Sequence, residues 1–322
     1  MKAPTWQDAV WDDDAERLVE LPTGMTICHR VDGGADDGDP DDGDGNDVPV
    51  VLVAGMSEDM TAWTPSLVTP FLDRGHRVVR FDNRDIGRSS RVSAPAPSLW
   101  RLATAKPLPG AYSLHDMADD TVALLDHLGI ESAHLVGRSM GGMIAQIVAA
   151  REPARVRSLT SLYSTTGARR VGGTAWSTKR GMLRPAARTE DEWVSRHLAV
   201  TAHLSGRAHP IDLEEEEAHA RLSWRRLSGP SPAGVARQIQ AILTSGNRTR
   251  ELAGITAPTL VIHGDRDLIV HPSGGRATAA AVPGARHVEM PGMGHHLPAS
   301  LAATLADEVL DHISEASSSA RQ

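Results

Sequence analysis

The sequence holds a single cysteine, Cys28, in 322 residues, which excludes an intrachain disulfide and a zinc site built on paired thiolates. It has no excess of base: 33 Lys and Arg stand against 41 Asp and Glu, a net charge of −8. Residues 32–47, DGGADDGDPDDGDGND, hold eight Asp and no base, so the rest of the chain sums to zero. Phosphate binding needs a basic face, so nucleic acid is excluded as the main partner. No run approaches the ~20 apolar residues that span a bilayer. The N-terminal MKAPTWQDAVWDDDAERL lacks the apolar stretch of a secretory signal. A cytoplasmic protein with no membrane partner is the expectation.

What is present is ample for a core, at 40% hydrophobic and 23% charged residues. The length is about twice that of a common domain, which fits one large α/β domain with an insertion or two domains. Short β-rich runs alternate with helical patterns. Arg17–Leu21 and Met25–Val31 read as a strand pair, and Val48–Ala54 as a strand buried on both faces. His76–Asp82, Ser132–Gly137, Val156–Leu162, Thr259–Gly264 and Arg286–Met290 repeat that character. Helical patterns cover Thr61–Arg74, Leu114–Leu128, Met140–Arg151, His271–Ala281 and Leu297–Ile313, with Ser314–Gln322 expected to fray. This alternation specifies a mostly parallel sheet covered on both sides.

Between about Gly167 and Asn247 only helix signals remain. Thr189-Glu190-Asp191-Glu192 reads as a capping box, Asp212 with Glu215 opens a second helix, and Ser231-Pro232 opens a third. The expected division is a core of residues 1–166 and 248–322 with a helical cap, 167–247, over the carboxyl ends of the strands.

Gly137-Arg138-Ser139-Met140-Gly141 fits G-x-S-x-G between an apolar strand and an apolar helix. A serine at the tip of so tight a turn has its hydroxyl exposed, and small residues two before and two after let the backbone fold closely. The hydroxyl needs a base to take its proton, and the base needs a carboxylate to hold its tautomer. Chain order places the acid and then the histidine downstream. Asp265 and Asp267 follow the strand TLVIHG, and His295 and His296 follow RHVEM. Both sets lie past strand carboxyl ends, where open α/β sheets carry their sites. An oxyanion hole requires backbone N–H donors, for which Met140 and Met56, in the loop Ala54-Gly55-Met56-Ser57, are the candidates. Trp176, Trp193 and Trp224 stand out in a chain with two Phe and two Tyr. They are placed either along a pocket for a bulky apolar group, with Gly55, or in packing of the cap. Arg138 is either a contact to a substrate carboxylate or an exposed structural residue.

On these residues the chain resembles the α/β-hydrolase superfamily over residues 15–313. The stretch Phe81–Ser89 is similar to that family's D-x-R-x-x-G-x-S turn after the fourth strand. RFDNRDIGRSSR, GRSMGG and MPGMGHHLP most resemble the aclacinomycin methylesterase group, whose members hydrolyse a methyl ester on polyketides. The resemblance implies an α/β-hydrolase fold, Asp267 as acid, His295 as base and Met56 as second oxyanion donor. It departs at Ala54-Gly55, where the family has His-Gly, and at the acidic tract. Gly294, lacking a side chain, is expected to let the His295 imidazole turn toward Ser139, with His296 pointing away.

The reading is therefore a serine hydrolase of a small-molecule ester, needing no cofactor or metal. C–C bond hydrolysis, lactone opening and cofactor-free perhydrolysis remain open on the same triad, as does a non-catalytic ligand-binding protein. The acidic tract reads as a solvated hairpin extension. A calcium loop fails because, counted from Asp42, the sixth position is Asp47 and the twelfth Val53. Replacing residues 32–47 by a short Gly-Asn turn should leave activity intact, since surface loops cost little entropy. Calcium-dependent activity that disappears with the tract would reverse that reading.

Overall fold

The apolar runs assemble into one eight-stranded sheet in a computed structural model that describes residues 12–33, 48–182, 186–206, 208–227 and 231–319. The strands are β1 (Arg17–Glu20), β2 (Thr26–Asp32), β3 (Val50–Val53), β4 (Val78–Phe81), β5 (Ala133–Arg138), β6 (Val156–Leu162), β7 (Thr259–Gly264) and β8 (Arg286–Met290). Their order is β1-β2-β4-β3-β5-β6-β7-β8. From β4 to β8 all neighbours are parallel, while β1 and β2 run antiparallel at one edge. The helices are α1 (Pro65–Asp73), α2 (Leu99–Thr104), α3 (Leu114–His127), α4 (Met140–Arg151), α5 (Trp176–Met182), α6 (Glu190–Leu204), α7 (Leu213–Leu227), α8 (Pro232–Ser245), α9 (Thr249–Leu252), α10 (Ser273–Ala281) and α11 (Ala299–Ser319).

The period of two along each strand divides the core. Val51 and Val53 join a cluster with α3 and α4, whereas Val50 and Leu52 join one with α1 and α11. Burial on both faces explains why these strands read as unbroken apolar runs. Ser113 caps α3 with a reciprocal bond from Asp116, and Thr189 caps α6. The expected helix from Thr61 starts only at Pro65, because a residue before proline is driven out of the helical region, and Thr64 is extended at ψ 160°. The tail does not fray at Ser314: α11 continues to Ser319, with Ala316 buried and Ser318 Oγ donating to Ser314 O at 2.9 Å. Among the described residues no helix is long and apolar enough to cross a membrane.

Residues 34–47 of the acidic tract lie outside the described residues. The strands on either side of it correct the expected hairpin, because β2 and β3 are not neighbours. Asp32 and Val50 both register with Val78, from opposite sides of β4. Nor is Asp32 a solvated charge, so a replacement of the tract that is to cost little has to start after it. Its carboxylate accepts from Arg30 and from both Nε and Nη2 of Arg80, whose side chain is only 6% exposed. Removing one member of a buried pair strands the other, so Asp32→Ala should cost about 3 kcal/mol. The urea midpoint measures it, and an unchanged midpoint would mean that Arg80 is held elsewhere.

Candidate active site

The turn after β5 carries Ser139 at φ 53°, ψ −118°, a left-handed conformation uncommon for a residue with a side chain. Its surroundings leave no room to relax. A Cβ on Gly137 would lie 2.3 Å from Gly141 O, and one on Gly141 only 2.1 Å from Val53 O. The Ser139 N–H donates to Leu162 O at 2.9 Å, and Ser164 Oγ donates to Ser139 O at 2.8 Å. The G-x-S-x-G spacing thus presses α4 against β3 and leaves the hydroxyl partly exposed at the strand ends.

His295 Nε2 lies 3.0 Å from Ser139 Oγ, and His295 Nδ1 lies 2.6 Å from Asp267 Oδ2. With Nδ1–H donating to the carboxylate, Nε2 is left to accept from the hydroxyl. Asp267 is buried and fixed by two backbone donors, the N–H groups of Ile269 and Val270, each 2.8 Å from Oδ1. His263, inside β7, adds a third partner. Its Nε2 donates to Val270 O at 2.8 Å and lies 3.3 Å from Asp267 Oδ2. Burial alone would raise the Asp267 carboxyl, but the His295 and His263 imidazoles outweigh it and hold it at about 2.

The neighbouring candidates stand elsewhere. Asp265 Oδ1 accepts from Gly292 N at 2.6 Å, and His296 Nε2 lies 2.9 Å from Glu216 Oε1. Gly294 has a different reason from the one expected. A Cβ there would lie 1.8 Å from Leu204 O, because the histidine loop runs against the end of α6. Gly294 N donates to Ser205 O at 3.0 Å and His295 N to Leu204 O at 2.8 Å, so the loop caps the last carbonyls of the helix.

The N–H groups of Met140, first in its helix, and of Met56 donate to no protein acceptor among the described residues. Gly55 does not offer a donor to a substrate: its N–H goes to Glu58 Oε2 at 2.8 Å. Glu58 Oε1 accepts from Arg138 Nη2 at 2.8 Å, and Arg138 Nη1 donates to Ala62 O at 2.7 Å. Arg138 is therefore neither exposed nor a free substrate contact; it is buried and bridges the serine turn to the loop after β3. Its guanidinium also sits 5.6 Å from the Trp63 ring centre and 5.8 Å from that of Tyr163. Tyr163 packs 4.5 Å from the His295 ring. Trp193 and Trp224 pair between α6 and α7 at 6.1 Å, while Trp176 stands 74% exposed on α5 and is not part of that pair. Three tryptophans forming one wall are not observed. Glu58, His263 and the α6 contact were not picked out from sequence: an acid in a loop, a polar residue in a strand and a backbone carbonyl carry no local signal.

Three strand ends thus bring a hydroxyl, an imidazole and a buried carboxylate into one hydrogen-bonded line on a mostly parallel sheet. The profile of the alpha/beta hydrolase fold matches residues 48–299, and the chain belongs to that family and is a hydrolase. Rhodomycin D methylesterase DnrP of Streptomyces peucetius is 29% identical over 285 residues, spanning 83% of this chain and 91% of the relative. The enol-lactonase of Burkholderia xenovorans LB400 superposes with a TM-score of 0.68 at 24% identity, covering 92% of this chain and 100% of that one. An esterase of Rhodococcus sp. ECU1013 gives 0.67 at 21% identity, covering 93% and 98%. These two structures share the fold.

Because the folded Asp267 carboxyl lies below its ordinary 3.8, it stabilises the fold above that pH, by about 2 kcal/mol for a shift of this size. The contribution is lost as pH falls from 3.8 toward 2. Asp267→Asn lacks this dependence, so its acid-denaturation curve should be flatter across that window than that of the wild type. Equal slopes would show that the carboxylate is not held by its imidazoles.

Proposed function

We propose that the protein is a serine hydrolase that cleaves a carboxylic ester of a small, bulky apolar molecule, a methyl ester of a polyketide-type compound being the favoured class. The observation that carries this reading is the unbroken line Ser139 Oγ–His295–Asp267 Oδ2, with links of 3.0 and 2.6 Å. Ser139 Oγ attacks the ester carbonyl carbon while its proton passes to His295 Nε2, and Asp267 stabilises the imidazolium. The N–H groups of Met56 and Met140 hold the tetrahedral oxyanion. The alcohol leaves with the proton from His295, which then deprotonates a water that cleaves the acyl-enzyme. Acid is released and Ser139 regains its proton.

The choice of ester is supported by the methylesterase relative, similar over most of both chains. Residues 167–247 serve as the cap in this reading, with Trp193 and Trp224 as the aromatic faces nearest to a pocket role. Residues 1–166 and 248–322 form the core. No cofactor enters any step.

Ser139→Ala should lose roughly 10³-fold or more in turnover while remaining folded, and His295→Ala should fall similarly. Asp267→Asn leaves the imidazole in the wrong tautomer, a change worth ~10⁴-fold in the serine-protease case. Assays on methyl esters of graded acyl size, beside lactones and vinylogous diketones, report the bond cleaved. A fluorophosphonate probe reports the nucleophile. Near-normal hydrolysis by Ser139→Ala, or no labelling of Ser139, would remove the mechanism; turnover of diketones alone would remove the ester.

A further inference from the structure

Beside the proposed triad, the fold gathers imidazoles around a single carboxylate. Glu216 and His219, three residues apart on α7, share one face of the helix. His197 faces them from α6, with Nε2 at 2.6 Å from Glu216 Oε2 and its ring edge-on to His219 at 5.3 Å between centres. One donor atom from each of His197, Glu216 and His219 lies within 4.8 Å of the other two. On the second carboxylate oxygen, His296 Nε2 sits 2.9 Å from Oε1.

Two imidazole nitrogens with one carboxylate oxygen are a donor set of zinc sites with His₂Glu ligation. Donors bonded at about 2.0–2.1 Å lie roughly 2.9–3.4 Å apart around the ion, against separations of up to 4.8 Å here, so the three side chains draw inward on binding. Glu216 is buried, while the His197 side chain is 23% exposed, which leaves a way in from solvent above a charged floor. Both carboxylate oxygens of Glu216 face imidazoles, Oε2 toward His197 and Oε1 toward His296, so an ion held at Oε2 leaves the His296 contact in place.

We propose that His197, Glu216 and His219 bind a divalent ion of the zinc type, with water completing the coordination. The ion ties α6 to α7 and, through Glu216 and His296, ties both to the loop that carries His295. It takes no part in the bond-breaking steps above and does not rest on the ester reading. Nothing in the sequence analysis anticipated it: Glu-x-x-His is too short a pattern to stand out without the partner from α6.

The test uses the full chain after dialysis against chelator, titrated with Zn²⁺ by calorimetry and with Co²⁺ by visible absorption. One equivalent should bind to the wild type and to His295→Ala alike, with cobalt bands of a histidine-ligated ion of four or five ligands. His197→Ala, His219→Ala and Glu216→Gln should each weaken Zn²⁺ by roughly tenfold or more, at least the loss seen for outer-shell partners. The cobalt spectrum of the wild type needs no variant, so a folding defect in one of these does not remove the test. No binding by the wild type, unchanged binding in folded ligand variants, or loss of binding in His295→Ala would overturn the site.

Discussion

One guanidinium holds three distant parts of the chain. Arg226, on α7, meets Glu16 at 2.8 Å, Asp59 at 3.0 Å and Asp82 at 3.0 Å, with each of the four side chains 4% exposed or less. Charges this far from water persist only when paired, and removing the cation would leave three carboxylates facing one another. Burial pushes the Asp82 carboxyl up to about 6 against the pull of Arg226, with the Asp59 charge adding a smaller push. From this point order spreads toward the serine. Asp59 caps the short turn Met60–Ala62, Ala62 O receives Arg138, and Arg138 immediately precedes Ser139. Asp82 receives the N–H groups of Met60 and Arg88, and a Cβ on Gly87 would lie 2.0 Å from its carboxylate. The stretch Phe81–Ser89 is thus a folded cradle for a charge that α7 completes.

A second level of order acts on protons. His295 is oriented by Asp267, Asp267 by two backbone N–H groups and by His263, and His263 by Val270 O. Each group has its direction set by a neighbour that cannot turn, because the last members are backbone atoms. Pre-set direction is what an imidazole needs in order to take and return a proton without first rotating.

Sheet, strand ends and most helices were legible because burial on both faces leaves a composition that no loop shares. β6, β7 and β8 have the bounds read from sequence, and Ser139, Asp267 and His295 lie in one hydrogen-bonded line. What could not be read is where elements touch across the fold. Short α2 and α9 lack a periodic stripe long enough to register. The acidic tract was taken for a hairpin because local pattern does not reveal that β4, contributed later in the chain, lies between its two strands. Arg138 looked exposed because its partner, Glu58, comes from a loop some eighty residues earlier.

The contact between α6 and the histidine loop has a consequence for what can take the place of α6. Leu204 O and Ser205 O receive His295 N and Gly294 N, so the end of α6 supplies backbone atoms to the histidine loop. A replacement segment of another length or composition, even one that closes over the same space, would have to end a helix at that spot and leave two carbonyls pointing down. The helical segment is consequently not a detachable module. Any exchange of this segment in the protein has to preserve the junction at Leu204 and Ser205.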